Sequence, residues 1–180
     1  MWEKLAWDVD VFQDIQRSYP TEEQPLLYSA INVCISAWSL EQWTLAAWTQ
    51  RLRDKGEAPS KQKFDQLIQT YVPEHPICSA IANTAKHAAY RDGGWPDGEV
   101  SLSWADGDED VPPGFILYHL SPGGVSHSLA FNTFGQVQSN WWLLLVAIGF
   151  ADGDRPSPKW MQNKLSRIFG EPGKLLPAAS

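Results

Sequence analysis

The residues best suited to chemistry stand together in the stretch IANTAKHAAYR, residues 81–91. On a helix, Asn83 and His87 are four apart and project together, Arg91 lies one further turn along, and Lys86 and Tyr90 flank the row. An imidazole beside a cation and an amide can move a proton or hold a phosphate group. His87, Asn83 and Lys86 are therefore the candidate catalytic residues, and Arg91 and Tyr90 candidate substrate-binding residues. The competing reading is a solvated helix face, because Ile77, Ile81, Ala85 and Ala88 supply an apolar side opposite this row.

Glu41 is the second candidate for substrate binding. It interrupts the stripe Leu27, Ile31, Cys34, Trp38, Glu41, Leu45, Trp48, Leu52, and a carboxylate in an apolar stripe calls for a partner. Lys86, His87 and Arg91 are the partners the sequence offers; alternatively the position turns outward at a helix crossing. The remaining clusters carry less. Asp106–Asp110 has Val111 where a calcium loop places glycine and Leu117 where it places glutamate, so it reads as a charged turn. His119 and His127 fall on adjacent strands without a third ligand nearby, and no metal or cofactor is expected. The SPGG turn lacks the Lys-Ser/Thr of a phosphate loop, and Ser126 and Ser128 lack a nucleophile-elbow pattern.

The elements that must position these residues follow from periodicity and punctuation. Helices are predicted over 2–18, 24–53, 60–72 and 76–90. The second has two apolar stripes, the one through Glu41 and another through Leu26, Ala30, Val33, Ala37 and Leu40, which marks a central helix. Thr21 and Gln24 stand at capping-box spacing before it, Ser60 can cap the third helix, and Pro76 suits the first turn of the fourth. Three strands, 99–104, 115–120 and 125–131, are separated by turn-rich linkers. Helices over 135–150 and 158–169 close a single domain of residues 1–170, with 171–180 a flexible tail. The fold expected is α+β: a mainly helical up-and-down bundle with a three-stranded antiparallel β-meander beside it.

On these residues and this layout, the chain resembles the HEPN superfamily of helical bundles from bacterial defence and toxin systems. Ribonuclease members carry an arginine, a polar residue, three more residues and then histidine on a late helix. Aligned on His87, Asn83 fills the polar position and Ala82 stands where the arginine is expected. The chain is also similar to uncharacterised bacterial and phage proteins with an Asn-x-x-Lys-His helix, followed by strands and a tryptophan-bearing helix, over roughly residues 22–150. The resemblance implies a role in defence or stress through RNA or a nucleotide, with two copies meeting across a homodimer interface. With Ala82 in place of arginine, it implies binding ahead of ribonuclease activity. A reading of another class is a non-catalytic interaction or regulatory protein whose tryptophan-rich faces bind a protein partner.

Composition bounds both readings. Fourteen Lys and Arg against 21 Asp and Glu give a net charge of −7, which opposes strong non-specific nucleic-acid binding but leaves room for a local basic groove. Residues 92–154 hold nine acidic residues and no Lys or Arg. The strongest apolar run, Trp141–Phe150, is too short to span a bilayer, so no membrane is expected. Cys34 and Cys78 sit in apolar helical surroundings and read as buried free thiols of a cytoplasmic protein.

Overall fold

The computed structural model describes residues 1–87, 99–110, 113–121 and 124–169. Six helices and three strands follow one another as α1 (Trp2–Ser18), α2 (Glu23–Asp54), α3 (Lys61–Tyr71), α4 (His75–His87), β1 (Glu99–Ala105), β2 (Gly114–Ser121), β3 (Gly124–Leu129), α5 (Ala130–Ala147) and α6 (Lys159–Phe169). The strands form one antiparallel sheet in the order β1-β2-β3. The architecture is the expected α+β arrangement, mainly helical with a meander at its side. No described helix is long and apolar enough to cross a membrane.

The 32-residue α2 is the spine, packed against α1 on one side and α4 on the other. Of its two apolar stripes, the one through Leu26, Ala30, Val33, Ala37 and Leu40 is fully buried, while Leu27, Trp38, Leu45 and Trp48 of the other are half-buried. Phe12 and Phe134 meet edge-to-face at 5.0 Å between α1 and α5, and Trp141 and Phe64 are fully buried nearby. Aromatic pairs in this geometry add to the burial of their area. The sheet joins the core through Phe115 and Leu117, alternate residues of β2, as the two-residue period of a strand requires.

The Ser60 signal acts as the sequence suggests. The Ser60 hydroxyl accepts from the Lys63 amide at 3.3 Å, capping α3. The C-terminus of α5 is closed by Gly149 at φ 72° and by Arg51, whose guanidinium donates to the Ile148 and Gly149 carbonyls at 3.0 and 2.9 Å.

Three expectations need correction. The capping box at Thr21 and Gln24 does not form: the residue flanking α2 is Glu22, which makes no side-chain cap. Helix α5 starts at Ala130, not Gly135, and β3 runs into it without a loop. Gly135 lies instead where α5 passes α1; a side-chain carbon there would sit 3.6 Å from the Gln13 amide nitrogen. The inward stripe of α4 is His75, Cys78 and Ala82, whereas Ile77 and Ile81 are only partly buried.

Candidate functional site

Helix α4 carries Asn83, Lys86 and His87 in its last two turns, so the helical backbone their spacing calls for is present. Asn83 is half-buried. Tyr90 and Arg91 lie outside the described residues, and of the Lys86 and His87 side chains nothing is described. Ala82 is 0% exposed and belongs to the hydrophobic core together with Cys78 and Cys34. That position is sealed inside the core, where a guanidinium would be stripped of water.

Glu41 is placed differently from expectation. Its partner is neither Lys86, His87 nor Arg91 but His75, whose Nε2 lies 2.9 Å from Glu41 Oε2. The Trp141 indole N–H donates to His75 Nδ1 at 3.2 Å, and the two rings stand edge-to-face with centroids 5.1 Å apart. An indole N–H only donates, so Nδ1 must be an acceptor, and the ring proton sits on Nε2 and is donated to Glu41. The His75 side chain is 3% exposed and that of Glu41 13%. Both ring nitrogens are occupied and the ring is sealed from solvent, so His75 has no lone pair or proton to offer a substrate. The triad ties α2, α4 and α5 together. Beside it, the Asn140 amide donates to both Glu74 carboxylate oxygens at 3.0 and 3.3 Å, a second tie between α5 and the entry of α4. His75 escaped the sequence reading, although its spacing of three and seven from Cys78 and Ala82 carried the signal of an inward position.

Comparison with known protein families, with curated proteins and with solved structures found no match.

A second buried polar cluster sits between α1 and α2. Asp8 is 7% exposed and accepts from both the Lys4 ammonium and the Ser36 hydroxyl, while Lys4 also reaches Ser36 at 3.3 Å. Its members satisfy one another, and no buried side-chain nitrogen or oxygen among the described residues is left without a partner. This, too, is a structural tie.

The histidines of the sheet do not face each other across the strands: the register sets His119 opposite Ser126 and His127 opposite Tyr118. Among the described residues no three His, Cys, Asp or Glu side chains converge as a metal site would require. The acidic turn is internally organised, with Trp104 Nε1 donating to Asp106 at 3.0 Å and the Asp110 amide donating to Asp108 at 2.9 Å.

Proposed function

We propose that this chain is a HEPN-like module of bacterial or phage origin that acts in defence or stress by binding RNA or a nucleotide rather than by cutting it. The burial of Ala82 carries the reading: the position that would hold the catalytic arginine is part of the core, so the row of Asn83, Lys86 and His87 is left to hold phosphate without the cation that assists cleavage. Arg91 and Tyr90, which follow the row in the sequence, are the further candidates for contact with a base or a second phosphate. Pairing of two copies across α4 would double the cationic groups facing one nucleic-acid strand.

The test is RNA binding and cleavage by the parent and by His87→Ala and Lys86→Ala. The parent should bind without turnover, and each variant should bind at least tenfold more weakly in low salt. Equal binding by all three proteins would end the RNA reading.

A specific observation favours the alternative, a non-catalytic interaction protein. Between Gln24 and Gln50 the only charged residue of α2 is Glu41, which the His75 contact engages. The outer stripe Tyr28, Asn32, Ile35, Ser39, Trp43, Ala46 and Gln50 is therefore free of charge, with Tyr28 62% and Trp43 66% exposed. Aromatic enrichment with depletion of charge is the composition of an interface centre. In this reading the occupant is a second copy, since two chains of net charge −7 meet here without opposing charges. A stripe roughly 33 Å long and about 10 Å wide covers on the order of 330 Å² per copy, which fits a weak, concentration-dependent dimer. Sedimentation of the parent against Trp43→Glu tests it: self-association abolished by the substitution supports this reading, and a parent that stays monomeric removes it.

A further inference from the structure

A groove of about 390 Å³ opens where the C-terminus of α1, the start of β2 and the start of α5 meet, on elements that neither proposed reading uses. Its volume falls in the range of small-molecule sites. Phe115, Leu129 and Phe131 give it apolar walls, and Arg17, Gln16 and Asn132 supply the polar groups.

Its mouth is built closely. Gln16 Nε2 donates to the Pro113 carbonyl at 2.6 Å, pinning the strand entry to α1. The side chain of Gln16 lies so close over Gly114 that an added Cβ would stand 3.1 Å from its Oε1.

Arg17 is the cation of the groove. Its guanidinium carbon sits 5.2 Å from the centre of the Phe131 ring, a stacked position that holds the fork in place. Its nearest carboxylate, Asp14, is 3.8 Å away and is engaged more closely by Lys164, whose ammonium lies 2.6 Å from Asp14 Oδ2 and 2.8 Å from Asp10 Oδ1. Lys164 and Arg17 together balance Asp10 and Asp14, but Lys164 holds both acids closely while Arg17 makes one long contact, which leaves most of its guanidinium N–H groups turned to a further acceptor. Asn132 is exposed, and its amide makes no hydrogen bond among the described residues. It stands in the first turn of α5, whose flanking residue Leu129 offers no side-chain cap.

We propose that this groove binds a small aromatic monocarboxylate, its ring between Phe115, Leu129 and Phe131 and its carboxylate on the Arg17 fork with Asn132 beside it. A single negative charge is specified because the groove offers one cation, within a chain of net charge −7 whose acidic turn Asp106–Asp110 precedes Pro113 in sequence. Polyanions such as RNA are disfavoured here on the same ground, so this inference and the α4 reading stand or fall separately.

Indole-3-acetate and its neutral analogue indole-3-acetamide are the probes, titrated against the full chain with amide NMR and calorimetry. The carboxylate should shift the resonances of Arg17, Phe131 and Asn132 and bind at least tenfold more tightly than the carboxamide. Arg17→Ala should lose at least tenfold in affinity for the carboxylate, and Arg17→Lys should lose less, keeping the charge but not the two-pronged geometry. Equal binding of the two probes to the parent, no shift of the groove resonances at millimolar probe, or an Arg17→Ala variant that binds as the parent does would each overturn the assignment. The probe comparison needs no variant at all, so it holds even if a substitution disturbs α1.

Discussion

Replacing Glu41 by leucine removes the acceptor of a hydrogen bond that has no substitute nearby. His75 Nε2 lies 2.9 Å from Glu41 Oε2, and the imidazole is 3% exposed, so its N–H would be left buried and unsatisfied. An orphaned buried donor costs about 1–3 kcal/mol. The half-open setting of Glu41, 13% exposed, lets some water reach the vacancy, which places the expectation near the middle of that range, about 2 kcal/mol. For a chain of this size that is a fall in melting temperature of about 4–8 °C. Glutamine keeps an oxygen acceptor and should cost about 1 kcal/mol or less, the difference between a charged and a neutral acceptor. The decisive measurement is a double-mutant cycle by urea denaturation. In a His75→Leu background, Glu41→Leu should cost no more than about 0.5 kcal/mol, because the donor it orphaned is gone. An equal cost in both backgrounds, or a gain in stability from Glu41→Leu alone, would refute the clamp and return Glu41 to the list of functional candidates.

Two further outcomes are expected. Burial, and then the hydrogen bond with Cys78, raises the Cys34 thiol well above its ordinary range; both cysteines should resist a thiol reagent at pH 8 in the native chain, and two should react on denaturation without reductant, whereas rapid native labelling would contradict the packing of the α2–α4 seam. Burial opposes the charge of Lys164, but hydrogen bonds to Asp10 and Asp14 prevail and raise its pKa from 10.5; its contribution is fully present below that value and lost as pH rises through the higher folded one. The stability difference between the parent and Lys164→Met should therefore stay constant from pH 6 to 9 and shrink only in the alkaline range above about 10.5, and a loss near neutrality would count against the anchor.

The fold class was readable because the helical periodicity is long and clear in α1 to α4 and turn-rich linkers separate the three short strands. What could not be read was which surfaces close on one another. Both stripes of α2 are apolar, and only the placement of α1 and α4 decides that Leu26, Ala30 and Val33 are sealed while Leu27 and Trp38 stay half-open. Gly135 opens the helix predicted over 135–150, but it lies inside α5, where a side-chain carbon would make only ordinary contact with Gln13 of α1. The partner of Glu41 was sought among cations on the chemically suggestive row. The neutral imidazole of His75, 34 residues away in the first turn of the same helix, satisfies it because burial favours a hydrogen bond over an ion pair that must be stripped of water. The groove at Arg17 had no local signal, since its walls come from α1, β2 and α5, which are distant in sequence.

Under the proposed HEPN-like reading, Ala82→Arg separates a chain that lacks only one catalytic residue from a chain whose scaffold does not admit it. If the family chemistry were intact except for a missing cation, restoring arginine five residues before His87 should restore cleavage. The packing argues otherwise. Ala82 is 0% exposed, on the inward stripe with His75 and Cys78 and in one core cluster with Cys34 and Val33. An arginine there must either bury its guanidinium without a carboxylate or force α4 away from α2. Overpacking a close-fitted seam costs about 1–3 kcal/mol before any charge is considered, and an uncompensated buried charge adds several more. The variant should therefore be destabilised by more than about 4 kcal/mol, much of a small domain's total stability, and should show no ribonuclease activity. Ala82→Leu, which tests size without charge, should lose only the overpacking share. Were Ala82→Arg instead folded, as stable as the parent and able to cut RNA, α4 would have to turn its 82 face to solvent, and both the buried stripe and the binding-only reading would fall together.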